Sequence, residues 1–190
     1  MIAIVGLGNP GDEYAGTRHN VGFAAVELLA GRHRIALSRT RHRARFGTGR
    51  IGGEAVLLAE PLTYMNLSGE AVRPLLAYHG IDPVTGLVVI HDEADLEPGT
   101  VRIKQGGGIA GHNGLESLLD HLGQVDFARV RIGIGRPVGR PEKMADWVLA
   151  RPTAAEAPLI EAAVAVAADA VEAVLRDGLA RAMGAVNRRA

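Results

Sequence analysis

The chain has 190 residues, of which 47% are hydrophobic and only 4% aromatic, and its formal net charge is zero. This length and composition predict one compact domain with one hydrophobic core. Because the chain has no cysteine, a disulfide framework, a thiol nucleophile and a cysteine-ligated zinc ion are excluded. The zero net charge leaves only local patches of charge to attract an anionic ligand.

The first strand is predicted at the start of the chain. The apolar run Met1–Val5 stops at Gly6, which is too short for the hydrophobic region of a signal peptide. No apolar run reaches the length needed to span a membrane. We therefore expect a cytoplasmic protein without a membrane partner.

Strands and helices alternate along the chain after this point. Short apolar runs predict three further strands, at Glu54–Ala59, Gly86–Ile90 and Ala128–Ile134. Apolar residues at helical spacing predict three helices, at Val21–Ala30, Leu115–Leu122 and Leu159–Leu175. The alternation predicts an α/β fold, a single-domain three-layer sandwich whose mixed, largely parallel sheet is surrounded by helices.

Two further helix boundaries are less sharply defined by the sequence. Ser68–Tyr78 has a helical pattern, but Pro74 conflicts with a helix interior. Thr153 and Glu156 have the spacing of a capping box just before the last predicted helix.

The loop after the first strand formally matches the dinucleotide-binding pattern G-x-G-x-x-G, from Gly6 to Gly11. In a dinucleotide-binding unit the last glycine lies in a helix, whereas here the next predicted helix begins only near Asn20. The second strand candidate, near Arg34–Leu37, also lacks the terminal acid that binds a ribose. A nucleotide cofactor is therefore the weaker interpretation.

The same loop carries polar residues at the carboxyl end of a strand, where α/β sheets place their ligands. They are Asn9, Tyr14, Arg18, His19 and Asn20. His19 suits a general base and equally a histidine bonded to a backbone carbonyl. Asn9 also suits a turn, and a helix cap is the favoured interpretation of Asn20.

Three more polar segments follow strands or precede a helix, namely Pro61–Gly69, His91–Asp95 and Gly106–Gly114. If the sheet brings them to one edge, Asp92 would orient a histidine base and stabilise its charged form. Asp92 also suits a loop cap or a metal ligand, and Asn113 suits the N-terminal cap of the next helix. The glycine-rich segment reads equally as a mobile lid and as an ordinary connection.

Two rival classes of function use other residues. A metallohydrolase would use His91, Asp92, Asp95 and His112, but no two histidines have ligand spacing on a helix. A noncatalytic RNA-binding module would use Gly31–Arg50, which holds seven arginines and no acid. That module would leave Asn9 and His19 without a role, and the only aromatic residue among the arginines is Phe46.

Six motifs follow one another across residues 1–150. They are Val5–Gly11 (VGLGNPG), Thr17–Asn20 (TRHN), Tyr64–Gly69 (YMNLSG), His91–Asp92 (HD), Gly111–Gly114 (GHNG) and Arg131–Gly135 (RIGIG). In this order and spacing they resemble the bacterial peptidyl-tRNA hydrolase family. The resemblance implies a monomeric enzyme that needs no cofactor, metal or protein partner. It also implies hydrolysis of the ester that joins a peptide to tRNA.

The resemblance further implies roles for four catalytic residues. His19 would activate water as a general base, and Asp92 would hold His19 in its basic form. Asn9 would recognise the peptide portion and help to reject tRNA that carries a free amino acid. Asn113 would position the water or stabilise the oxyanion.

Substrate binding is assigned by the same resemblance. Tyr14, Tyr64, Met65 and Asn66 would line the groove near the peptide and the CCA end of the tRNA. Lys104 and Arg131 would hold phosphates of the acceptor stem. One departure lies in the glycine-rich segment, where Ile109 and Ala110 replace the histidine and glycine of the family pattern.

Overall fold

The computed structural model describes residues 1–189, apart from the side chain of residue 141. Seven strands form one sheet: β1 (Ile2–Gly6), β2 (Arg39–Arg41), β3 (Ala44–Ile51), β4 (Glu54–Pro61), β5 (Leu87–Glu93), β6 (Val101–Gln105) and β7 (Ala128–Gly133). Their order in the sheet is β2-β3-β4-β1-β5-β7-β6. The four strands β4, β1, β5 and β7 are parallel, while β2, β3 and β6 pair antiparallel. The expected mixed sheet is confirmed, and its parallel part is the centre.

Seven helices accompany the sheet: α1 (Val21–His33), α2 (Ser68–His79), α3 (Pro83–Gly86), α4 (Asn113–Leu122), α5 (Met144–Leu149), α6 (Ala157–Asp177) and α7 (Leu179–Arg189). Short 3-10 turns at Asp12–Tyr14, Arg18–Asn20 and Met65–Leu67 lie between strands and helices. None of the helices in residues 1–189 is long and apolar enough to cross a membrane.

Two hydrophobic cores lie on opposite faces of the sheet. One is covered by α1 and α6, and the other by α2 and α4. Strand β5 serves both cores, because Val88 and Ile90 face the first while Leu87 and Val89 face the second. A parallel strand that is buried on both faces reads as a continuous apolar run, which is why this strand could be predicted. The expected three-layer sandwich is confirmed.

Most predicted elements are present, with ends that differ by a few residues. Helix α2 runs through Pro74 to His79, so the conflict at proline does not end the helix. The capping box is also present, because the Thr153 N–H donates to Glu156 Oε2 at 2.9 Å and the Glu156 N–H donates to Thr153 Oγ1 at 3.3 Å.

The strand candidate near Arg34–Leu37 is wrong. Arg34 ends α1 in the left-handed conformation, with φ of 55°, and the chain continues without strand pairing until β2. The next long strand is β3, whose Gly47 and Gly49 obscure a strand pattern. A Cβ at Gly47 would lie 2.2 Å from the Ala36 carbonyl oxygen, so the segment predicted as a strand instead packs across β3.

The sheet order brings three loops together. Strands β4, β1 and β5 are neighbours and parallel, so the segments that follow them lie at one edge of the sheet. These segments carry the Asn9–Asn20 loop, the Leu62–Leu67 turn and the His91–Asp95 strand end.

Candidate active site

Close packing of two glycines places the first loop against the sheet. A Cβ at Gly6 would lie 2.1 Å from the Gly22 carbonyl oxygen, and a Cβ at Gly22 would lie 2.5 Å from the Ile90 carbonyl oxygen. The first turn of α1 therefore sits directly on the ends of β1 and β5. His19, two residues before α1, is held next to the end of β5 as a result.

Asn20 fixes the backbone of Asn9. Its Oδ1 accepts the Asn9 N–H at 2.9 Å, and its Nδ2 donates to the Asn9 carbonyl oxygen at 2.9 Å. The expectation that Asn20 caps α1 is wrong, because its side chain makes no bond to the helix end. The Asn20 amide instead makes two hydrogen bonds to the backbone of Asn9, as a neighbouring strand would.

The Asn9 side chain is oriented by the turn after β4. Its Oδ1 accepts the Met65 N–H at 2.7 Å, and Asn9 is only 5% exposed. With the oxygen engaged by the backbone, Nδ2 is the group available to donate to a ligand.

Asp92 joins two histidines. His19 Nδ1 lies 2.8 Å from Asp92 Oδ2, and His112 Nε2 lies 2.8 Å from Asp92 Oδ1. All three side chains are at least nine-tenths buried. The predicted contact between His19 and Asp92 is therefore present, and His112 is a second partner that the sequence did not indicate.

The tautomer of His112 follows from its position at the start of α4. Its Nδ1 accepts the Gly114 N–H at 3.1 Å and the Leu115 N–H at 3.3 Å, so the neutral ring carries its proton on Nε2. The Nε2–H then donates to Asp92. A carboxylate likewise accepts from His19, which places the His19 proton on Nδ1 and leaves Nε2 with a free lone pair.

The charge state of the group follows from these bonds. Burial alone would raise the pKa of Asp92, but the charges and hydrogen bonds of His112 and His19 outweigh burial and lower that pKa well below its usual range. The adjacent His91 is fully buried, and burial with the neighbouring His112 lowers its pKa to about 3. Asp92 is thus ionised and His91 neutral near pH 7.

Six of the predicted residues line one cavity of about 210 Å³. They are Asn9, Tyr14, His19, Met65, Asn66 and Asn113. A neighbouring cavity of about 280 Å³ shares His19 and Asn113 and includes Asp92 and His112. Tyr14 and Tyr64 stand edge to face with ring centroids 6.3 Å apart, and Tyr64 is 55% exposed. Apart from Asp92 itself, which lies beneath His19, the predicted catalytic residues meet at one opening.

Lys104 and Arg131 lie farther along the sheet, on β6 and β7. Arg131 Nη1 is 3.6 Å from Glu93 Oε2, and Lys104 has no carboxylate within ion-pair distance among residues 1–189. Lys104 lies against Gly107, beside the glycine-rich segment. The two cations therefore flank the site without lining its cavities.

The glycine-rich segment is tied to the sheet by a buried arginine. The guanidinium of Arg129 donates to the carbonyl oxygens of Gly106, Gly107 and Gly108. Arg129 is 1% exposed. Sequence reasoning missed this residue because an arginine inside a strand gives no sign of the loop that it holds.

The metal set expected for a metallohydrolase does not assemble. Asp95 pairs with Arg136, and His91 Nδ1 donates to the Asp92 carbonyl oxygen at 2.7 Å. Within residues 1–189 the group with metal-ligand spacing is His19, Asp92 and His112, whose ligand atoms lie within 4.8 Å of one another. The two histidine N–H groups that face Asp92 account for this closeness.

Three of the seven arginines in the segment Gly31–Arg50 form ion pairs. Arg32 pairs with Asp169 and Glu172, and Arg43 pairs with Glu70. Arg45 pairs with Glu60 and Glu27. The segment lies outside both cavities that contain His19.

No serine or cysteine of the described chain lines the two cavities that contain His19. A buried histidine–carboxylate pair that opens to a cavity at the carboxyl edge of an α/β sheet is an arrangement typical of enzymes that use histidine for proton transfer.

Comparison with known proteins identifies the family. The family described as "Peptidyl-tRNA hydrolase" matches residues 3–190. A peptidyl-tRNA hydrolase of Geobacillus kaustophilus (strain HTA426) is 48% identical over 98% of this chain and its own full length. That of Bacillus subtilis (strain 168) is 47% identical over the whole of both chains. The chain belongs to the peptidyl-tRNA hydrolase family.

A solved structure supports the same assignment. The crystal structure of peptidyl-tRNA hydrolase from Acinetobacter baumannii at 1.00 Å resolution is 41% identical, with a TM-score of 0.93. The match covers 98% of this chain and 94% of that one.

Proposed function

We propose that this enzyme hydrolyses the ester between the peptide and the tRNA of peptidyl-tRNA, with His19 as the general base. The observation that carries the proposal is the pair of bonds on Asp92, which leaves His19 Nε2 as the unprotonated nitrogen. This nitrogen makes no hydrogen bond within residues 1–189 and belongs to a residue that lines both cavities.

The reaction can be written with these groups. His19 Nε2 takes a proton from water as the water oxygen attacks the ester carbonyl, and Asp92 stabilises the imidazolium that forms. The amides of Asn9 and Asn113 donate to the developing oxyanion or hold the water. The imidazolium then returns the proton to the 3′ oxygen of the ribose as the ester bond breaks. The products are a tRNA with a free hydroxyl and a peptide with a free carboxyl group, which releases its proton to solvent.

The fixed amide of Asn9 supports selection for an acylated amino group. Its Nδ2 can donate to a carbonyl oxygen of the peptide, which an unblocked aminoacyl-tRNA lacks next to the ester. Selectivity of this kind is strong when a buried polar group is left unpaired by the wrong substrate.

The remaining predicted residues form a path for the tRNA. Exposed Tyr64 with Tyr14 offers an aromatic surface for bases of the CCA end, and Met65 and Asn66 lie beside it. Lys104 and Arg131 would hold phosphates of the acceptor stem, which fixes position without reading sequence. Because one chain supplies every proposed catalytic group, we further propose that the enzyme acts as a monomer without a cofactor. Because peptidyl-tRNA is released from ribosomes, we also propose that the enzyme acts in the cytoplasm.

The test is release of tRNA from N-acetyl-aminoacyl-tRNA and from the unblocked aminoacyl-tRNA. Wild type should cleave the blocked ester, and His19→Ala should lower kcat about 10²- to 10⁴-fold. His33→Ala, a histidine change at the far end of α1, should retain wild-type activity. Wild type that spares the blocked ester would refute the function, whereas an active His19→Ala would refute only the base.

The acid limb of the pH profile gives a second readout. A proton on His19 Nε2 occupies the lone pair that would accept a proton from water, so the rate of hydrolysis falls on the acid side. The pKa of Asp92 is lowered by its bonds to His112 and His19, so its carboxylate stays ionised while the rate falls on the acid side. A rate constant for hydrolysis that does not fall as the pH is lowered would remove His19 from the role of base.

A further inference from the structure

The residue just before His19 contacts a segment far along the chain. Arg18 is 2% exposed, and its guanidinium lies 3.6 Å from the ring centroid of Trp147. Its Nη1 donates to the Trp147 carbonyl oxygen at 3.1 Å, and its Nη2 donates to Glu156 Oε2 at 2.6 Å. The Arg18 backbone N–H also donates to the Ala150 carbonyl oxygen at 3.0 Å. One arginine thus joins the His19 turn to both ends of the segment between α5 and α6.

Helix α5 packs on the core covered by α1 and α6 through two partly buried side chains, Trp147 and Val148. It has six residues, none of them buried, and a helix of this length is not stable without packing. Trp147 is the more firmly held of the two, because Arg18 stacks on its ring and its Nε1 donates to the Gly135 carbonyl oxygen at 3.0 Å.

The opposite side of α5 forms a wall of the active site. Ala145, Val148 and Leu149 line the cavity that contains Asn9 and His19. At 100° per residue these three positions form one stripe, and Trp147 points roughly 150° away from it. The same helix therefore faces Arg18 on one side and the substrate cavity on the other.

We propose that Arg18 is a positioning residue that holds α5 as the apolar wall of the peptide cavity and so sets the fit of the peptide side chain. This inference rests on the proposed function, because it assigns the cavity to the peptide. Arginine suits the task better than lysine, since a planar guanidinium can stack on an indole and donate in its own plane at the same time. Arg18 needs no contact with the reacting atoms to act in this way.

The proposal predicts a change in binding that depends on the side chain of the substrate. In Arg18→Lys the charge near Glu156 is kept, but the stack and the forked bonds are lost. KM for N-acetyl-leucyl-tRNA should rise about tenfold, while KM for N-acetyl-glycyl-tRNA should change less than about threefold. The kcat of both substrates should stay within about threefold, because His19 and Asp92 are unchanged.

Two more variants complete the design. Trp147→Leu removes the stack from the other side and should give the same pattern, even if the arginine variant folds poorly. Arg32→Lys is the matched control, since Arg32 pairs with Asp169 and Glu172 on the surface. It should leave KM for both substrates unchanged.

Hydrogen exchange of the free enzyme tests the anchor without any substrate. Amides of residues 144–150 should exchange faster in Arg18→Lys and Trp147→Leu than in wild type and Arg32→Lys. Unchanged exchange, or an equal rise of KM for leucyl and glycyl substrates, would overturn the proposal. If wild type cleaves neither substrate, the proposed function fails, and the exchange result still decides whether Arg18 holds α5.

Discussion

Both carboxylate oxygens of Asp92 accept from a histidine, and only one of those histidines can change its tautomer. His112 must keep its proton on Nε2, because its Nδ1 accepts from the backbone of α4. His19 has no such constraint apart from Asp92 itself. Residue 92 must therefore present an acceptor to His112 Nε2–H, and its other side-chain atom faces His19 Nδ1.

Replacement of Asp92 by asparagine should disable His19 as the base, because His112 requires an acceptor on residue 92. The amide oxygen would turn toward His112 Nε2–H, so the amide NH₂ would face His19 Nδ1. His19 would then carry its proton on Nε2 and could not activate water, and kcat should fall about 10²- to 10⁴-fold. The measurement is single-turnover hydrolysis of N-acetyl-aminoacyl-tRNA.

A double variant separates this tautomer effect from simple loss of charge. His112→Asn keeps an acceptor for the first turn of α4, but its shorter side chain lacks the distal N–H with which His112 Nε2 reaches residue 92. In Asp92→Asn with His112→Asn the amide oxygen is free to face His19, so activity should recover by about tenfold over Asp92→Asn alone. A double variant no faster than the single one would contradict the assignment.

Some strands and helices could be predicted from the sequence and others could not. Strand β5 is apolar from Leu87 to Ile90, so this part could be predicted, and Asp92 lies in the polar end of the same strand. Strand β3 could not, because its Gly47 and Gly49 leave room for the close approach of Ala36 and Ile35 and weaken the strand pattern. His112 was missed as a partner of Asp92 because the bond spans 20 residues and depends on the path of the glycine-rich segment. Helix α5 lacks the long apolar pattern that marks a helix in a sequence.

The glycine-rich segment contains a strained residue at the departure from the family pattern. Ala110 has φ of 50°, a left-handed conformation that costs a non-glycine residue about 1 kcal/mol or more. The Ile109–His112 turn that contains it leads into the cap of α4. Ile109 packs against the core on the α2 and α4 face.

Ala110→Gly should therefore stabilise the protein. The relief of strain outweighs the greater freedom of glycine in the unfolded chain, and the free energy of unfolding should rise by about 0.5 to 1 kcal/mol in urea titrations. The matched control is Ala162→Gly on the exposed face of α6, where the same change should cost about 1 kcal/mol. Equal losses in both variants would show that the left-handed turn is not strained.

At the scale of the whole molecule, it is the local distribution of charge, and not the net charge, that can attract tRNA. The net charge is zero, yet Lys104 has no ion pair within residues 1–189 and lies against Gly107, while Arg131 lies on the neighbouring strand β7. A few phosphate contacts suffice when the enzyme must accept any tRNA sequence. Binding should therefore weaken only moderately with salt.

Lys104→Ala should weaken the binding of uncharged tRNA without changing kcat on saturating substrate. The slope of log affinity against log salt should become shallower by about one, because one phosphate contact is lost. Lys143→Ala, a lysine next to α5, provides the matched control of charge and should keep the wild-type slope if Lys104 is the contact. A slope unchanged by Lys104→Ala would place the acceptor stem elsewhere.

Global stability should depend on pH through His91. Its folded pKa is lowered to about 3 by burial and by His112, whereas an unfolded histidine has a pKa of about 6.5. Below about pH 6.5 the unfolded chain binds a proton at His91, whereas the folded protein does not. The free energy of unfolding is therefore at its full value above this pH and decreases as the pH falls. By pH 5 the loss should be about 2 kcal/mol.

His91→Asn should remove this loss, because asparagine can still donate to the Asp92 carbonyl oxygen but does not titrate. Its stability at pH 7.5 should be lower, since the smaller side chain leaves space in the core. The decisive quantity is the change in the free energy of unfolding between pH 7.5 and pH 5, from urea titrations of wild type, His91→Asn and the surface variant His33→Asn. If the loss of stability at pH 5 is smaller in His91→Asn alone, His91 causes it. An equal loss of stability in all three proteins would assign the loss to other groups.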